Sequence, residues 1–141
     1  MISNRKEKVL AVMREYKIQT IWLSRYLPVH YSTACQIIYS QKDSVISDYY
    51  YIHISKALNR IVKALGYREV PLEMIPEMDF IITTMDEYGI PEKVLLRQLR
   101  ANNYKLKQSF KNGLHTKEDY AAMITAINQL KEKGGKHYEY Y

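Results

Sequence analysis

The sequence predicts an all-α chain built as two tandem helical units of four to five helices each. Three observations carry that prediction. Apolar residues recur at helical spacing along most of the chain, and no segment reads convincingly as a strand. Pro, Gly, Ser, Thr and Asp stand where helices start and stop. Residues 8–40 also lie ungapped over residues 80–112, an offset of 72 positions. Eight identities fall in register: Met13/Met85, Glu15/Glu87, Tyr16/Tyr88, Ile18/Ile90, Leu23/Leu95, Arg25/Arg97, Leu27/Leu99 and Gln36/Gln108. Two copies are too few for a solenoid, so the repeat predicts two related small domains. The expected boundaries are residues 1–66 and 76–141, with residues 67–75 as a link whose Val70, Leu72, Met74 and Ile75 should pack.

In the first unit, Val9, Leu10, Val12, Met13 and Tyr16 predict an amphipathic helix over residues 5–17. A short helix is expected over residues 20–27, capped by Thr20, with Trp22, Leu23 and Leu27 inward. Pro28 stops it, because proline disfavours helix in the residue before it. A third helix over 31–40 turns Ala34, Ile37 and Ile38 inward, and the polar residues 40–44 read as a loop. The fourth runs over 48–65, capped by Ser47 or Asp48 and closed by Gly66. Successive helical residues point about 100° apart, so Tyr49, Tyr50 and Tyr51 cannot all be core.

In the second unit, Pro76 suits the first position of a helix over 76–88, and Glu77 and Asp79 favour its dipole. Gly89 ends that helix and Pro91 opens the next, over 91–99. A helix over 103–112 ends in Asn112-Gly113, and Thr116 caps a last one over 117–133, closed by Gly134-Gly135.

The 141 residues are 47% apolar and 26% charged, as in soluble globular chains. No apolar run approaches the roughly 20 residues of a membrane-spanning helix. The start, MISNRKEK, lacks the apolar core of a signal peptide, and the single Cys35 cannot form an internal disulfide. Both predict a cytoplasmic protein. Residues 1–66 hold ten Lys/Arg and four Asp/Glu, which is the whole net charge of +6. Residues 67–141 hold eleven of each, but segregated: seven acids and no base from Glu69 to Glu92, then seven bases and no acid from Lys93 to Lys117. A local basic face can bind phosphate even in a neutral domain.

Two short helices joined by a three- to four-residue turn and braced by flanking helices form a helix-turn-helix. Leu23, Ser24, Leu27, Pro28, Val29, Ala34 and Ile37 have that spacing, and Leu95, Leu96, Leu99, Arg100, Ala101, Leu106 and Phe110 repeat it. On these residues the chain resembles the lambda-repressor-like family of DNA-binding domains, in two tandem copies. Two positions depart from the family: its turn glycine is Pro28 or Arg100 here, and its small residue at the helix crossing is Leu96 in the second unit.

The resemblance implies a regulator of phage or mobile-element type that binds double-stranded DNA by laying the second motif helix in the major groove. Carried over by position, the first unit would present His30, Tyr31, Ser32, Gln36 and Tyr39 to bases, with Arg25, Lys42 and the arm Arg5-Lys6 at phosphates. The second would present Asn102, Asn103, Tyr104, Lys107, Gln108 and Lys111, with Arg97, Arg100 and Lys105 adding charge. Gln and Asn suit adenine, and Lys suits guanine. Fourteen tyrosines also suit a protein interface. The alternatives are therefore a homodimer and an inhibitor of a host protein, anti-CRISPR-like in its design. His30, His53, His115 and His137 are too dispersed for a zinc site, and no catalytic constellation or phosphate loop emerges. No enzyme, cofactor or metal is expected.

Overall fold

In a computed structural model of the chain, α1 (Arg5–Glu15) and α5 (Pro76–Tyr88) are stopped by the same device at repeat-equivalent positions. Lys17, at φ 55°, and Gly89, at φ 62°, both adopt the left-handed conformation. The next residue then folds back. Ile18 N–H donates to the Met13 carbonyl at 2.8 Å, and Ile90 N–H to the Met85 carbonyl at 2.9 Å. This is the Schellman closure, which satisfies a carbonyl that the helix end would leave orphaned. Ile18 and Ile90 are buried beneath it.

The structure describes residues 5–39, 45–68, 72 and 74–133. The chain divides into two compact units, Met1–Met74 and Ile75–Tyr141. Among the described residues every regular element is an α-helix and there is no strand, so the all-α expectation holds.

The first unit comprises α1, α2 (Thr20–Ser24), α3 (Tyr31–Tyr39) and α4 (Asp48–Ala64). Ser47 caps α4, its hydroxyl accepting from Tyr50 N–H at 3.3 Å. α4 is the backing of the unit, burying Tyr49, Tyr51, Ile52, Ile54, Leu58 and Val62, with Tyr50 only half-buried. α1 and α2 pack on α4, and α3 packs on α1 and α2. Ala34 and Ile38 are the α3 residues that enter the core, with Ile37 half-buried.

α2 is shorter than expected. Proline's ring collides with the carbonyl four residues earlier, and that carbonyl belongs to Ser24, where α2 ends. The chain tightens into three-residue turns, with Tyr26 N–H on the Leu23 carbonyl at 3.0 Å and Leu27 N–H on Ser24 at 3.2 Å. Residues 25–30 then connect α2 to α3, longer than the three- to four-residue turn expected. Thr20 is not the cap. Gln19 holds that position without a side-chain bond, and the buried Thr20 hydroxyl instead meets Tyr39 Oη at 2.8 Å. Trp22, expected inside, is 37% exposed, and Leu27 is half-buried.

The second unit comprises α5, α6 (Glu92–Asn102), α7 (Tyr104–Ser109) and α8 (Lys117–Glu132). Pro76 opens α5, and Thr116 and Asp119 form a full capping box on α8. α8 packs on α5 and α6, and α7 packs on α6. Arg100 stands where the first unit has Pro28, so nothing stops α6 at the corresponding place and it continues to Asn102. Only Asn103, at φ −159°, separates it from α7, which has six residues instead of the expected ten. Arg100, Ala101 and Asn102 are thereby helical and exposed, not turn residues. The core register of the repeat survives this change. Val9/Ile81, Leu23/Leu95, Ala34/Leu106 and Ile38/Phe110 are buried in both halves. In the link, Leu72 and Ile75 are half-buried and Met74 is 40% exposed. Val70, the loop 40–44 and the Gly134-Gly135 ending lie outside the described residues.

Candidate nucleic-acid interface

Helical spacing decides which α3 side chains can meet a ligand. Ser32, Gln36 and Tyr39 fall within roughly 60° of arc, opposite Ala34, Ile37 and Ile38. All three are exposed, and Tyr39 is 50% exposed. Its bond to Thr20 fixes that ring, so the end of the stripe is held in place. Tyr31, 51% exposed, and His30, also exposed, stand at the N-terminal end of the helix. A hydrogen bond with the Cys35 side chain, one turn away, raises the pKa of the Tyr31 hydroxyl. α3 carries no acid and no base; its sequence is YSTACQIIY. Any ligand of this face is met by neutral hydrogen-bonding groups.

The expected phosphate partners of the first unit divide. Arg25 is exposed beside α2. Arg5 is not a phosphate arm. Its guanidinium pairs with Asp48 Oδ1 at 2.9 Å, donates to the Ile46 carbonyl at 2.8 Å and lies 4.7 Å from the Tyr51 ring centroid. It pins α1 to the start of α4. Lys42 lies outside the described residues.

The residues expected to read bases in the second unit do not form one face. Asn102 turns toward α8, donating to Gln129 Oε1 at 2.8 Å and accepting from Gln98 at 3.2 Å. Asn103 caps α7, its side chain accepting from Lys105 N–H at 3.1 Å. Gln108 donates to Tyr104 Oη at 3.0 Å, one turn apart on α7. Lys111 is ion-paired with Glu92 at 2.9 Å. Lys107 is half-buried, while Tyr104 (54%) and Lys105 are exposed. Arg97 and Arg100 are exposed on α6, not on α7.

Two features were not anticipated. Lys93 joins Arg97 and Arg100 on the outer face of α6, legible in the spacing of three, four and seven residues. In the first unit a groove of about 220 Å³ opens between α2 and the end of α4, lined by Trp22, Arg25, Tyr26, Ile61, Ala64 and Leu65. Among the described residues no cluster of His, Cys, Asp or Glu could hold a metal, and no helix is long and apolar enough to cross a membrane.

No protein-family model, curated protein or solved structure matches the chain.

Proposed function

We propose that the chain is a sequence-specific duplex-DNA-binding regulator of lambda-repressor-like helix-turn-helix type, reading the major groove with α3. The observation that carries this reading is the outward stripe Ser32, Gln36, Tyr39, set on a nine-residue helix whose opposite side is core. An α-helix with its side chains is about 10–12 Å across and fits a major groove about 12 Å wide. Gln36 can bond an adenine edge through two atoms, while Ser32 and Tyr31 accept or donate as the neighbouring base requires. The helix itself is neutral, so affinity must come from cations around it, and the first 66 residues carry the chain's +6.

Selection from a random duplex library, read by mobility shift at low salt, tests the reading. One enriched motif is expected. Gln36→Ala should remove preference at one position of it, by roughly 5- to 150-fold if the contact is worth about 1–3 kcal/mol. No enriched sequence at low salt would overturn the proposal.

A second reading is an inhibitor that docks on a host protein. It is favoured by the aromatic groove, where Trp22, Tyr26 and Leu65 are 37%, 45% and 48% exposed. Exposed Trp and Tyr beside an Arg are the residue types that anchor protein interfaces. Tyr26→Ser separates the two readings: it would spare operator binding and abolish host-protein inhibition.

A further inference from the structure

α6 is an amphipathic helix of an unusual kind. Its buried side is Val94, Leu95 and Leu99. Gln98 and Asn102 extend that side toward α8, bonded to Gln129, and Lys133 donates to Gln98 at 3.3 Å. Lys93, Arg97 and Arg100 lie within roughly 60° of arc on the side diametrically opposite. All three are exposed. The only acid on α6, Glu92, pairs with Lys111 at 2.9 Å. The other acids on the helices of this unit lie on α5, at Glu77, Asp79, Asp86 and Glu87, and on α8, at Glu118, Asp119 and Glu132. Lys93 to Arg100 covers about 10 Å of helix axis, comparable to three steps of about 3.4 Å along one DNA strand.

We propose that this α6 stripe is a sequence-independent grip on the phosphate backbone of duplex DNA. It rests on the duplex-DNA reading above, but assigns the second unit a different task. α7 has six residues, and the side chains of Asn103 and Gln108 bond within it. The outward chemistry of α6 is therefore cationic, and α7 turns few groups to base edges. Phosphate contacts position a protein and supply affinity without reading sequence.

The test uses the full chain, the selected operator and an unrelated duplex, with affinity measured by anisotropy across a salt series. Each phosphate contact contributes about 0.9 to the slope of log K against log salt. The triple variant Lys93→Gln, Arg97→Gln, Arg100→Gln should lower the slope by about 2.7. By the same rule it should weaken binding to both duplexes by roughly 100- to 500-fold at about 0.1 M salt. The preference for operator over unrelated duplex should stay unchanged. Arg97→Lys with Arg100→Lys should keep the slope, and Lys133→Gln, on the other side of α6, should leave it as it was. A slope change in the triple variant of less than one contact overturns the grip, while loss of operator preference in Gln36→Ala still upholds the reading by α3. Absence of any duplex binding by the unaltered chain overturns both.

Discussion

Lys17 and Gly89 make a matched experiment that the repeat itself supplies. Both residues hold the left-handed conformation that closes a helix, at φ 55° and 62°. For a residue with a Cβ this conformation costs about 1–2 kcal/mol, and for glycine it costs little. Glycine in turn loses about 0.5–1 kcal/mol more backbone entropy on folding. The difference leaves Lys17→Gly stabilising the first unit by about 0.5–1 kcal/mol, and Gly89→Ala destabilising the second by a similar amount. Space does not complicate the second change, because a Cβ at Gly89 would meet no atom within 4 Å. Nor does packing complicate the first, since Lys17 is exposed. For units of this size the expected shift in melting temperature is about 3–6 °C, upward for Lys17→Gly and downward for Gly89→Ala. Native-state hydrogen exchange at the Ile18 and Ile90 amides, each bonded across its cap, reports the two units separately. If both substitutions shift stability in the same direction, the strain argument is wrong.

Three further outcomes are expected. Arg100→Pro imposes on α6 the stop that Pro28 imposes on α2, and should cost about 3 kcal/mol with a loss of helical circular dichroism; retention of full helix content would refute it. Arg5→Met leaves Asp48, 4% exposed, without its guanidinium and should cost about 3 kcal/mol in urea unfolding, largely restored by adding Asp48→Asn. Phe110→Ala removes the fully buried ring beneath α7 and should cost about 3–5 kcal/mol, against about 2–5 for Ile38→Ala at the equivalent position, both read as urea midpoints.

What could be read from the sequence was the local chemistry of helix ends. Pro76, Gly89, Ser47 and Thr116 act within one turn of themselves, so residue type alone places them. The early stop of α2 was harder, because proline acts on the carbonyl four residues back as well as on its neighbour. The length of α6 exceeds the expected 91–99 because Arg100 has none of proline's restrictions. The stripe Ser32, Gln36, Tyr39 follows from helical spacing. The commitments of Arg5 and Asn102 do not, because their partners Asp48 and Gln129 are remote in sequence. Lys111 is remote from Glu92 in the same sense. Competition for a side chain between a distant carboxylate or amide and a ligand is a tertiary question, and periodicity is silent on it.

The divergence of the two copies has consequences for chemistry. One residue, Pro28 against Arg100, separates a broken α2–α3 pair from a nearly continuous α6–α7 pair. The break frees a nine-residue helix to show a neutral face. In the second copy the first helix runs on to Asn102 and is basic on its outer side over two turns, and the second has six residues. A neutral face discriminates but binds weakly, since each hydrogen bond nets only about 0.5–1.5 kcal/mol against water. A basic rail binds strongly at low salt but discriminates poorly. On the DNA reading these deficits are complementary. Joined in one chain, either contact makes the other intramolecular, so the pair needs neither strong bases in α3 nor base readers in α7. The same logic makes an exchange informative: Pro28→Arg should let α2 run on and blunt sequence preference, while leaving the salt slope of the α6 stripe in place.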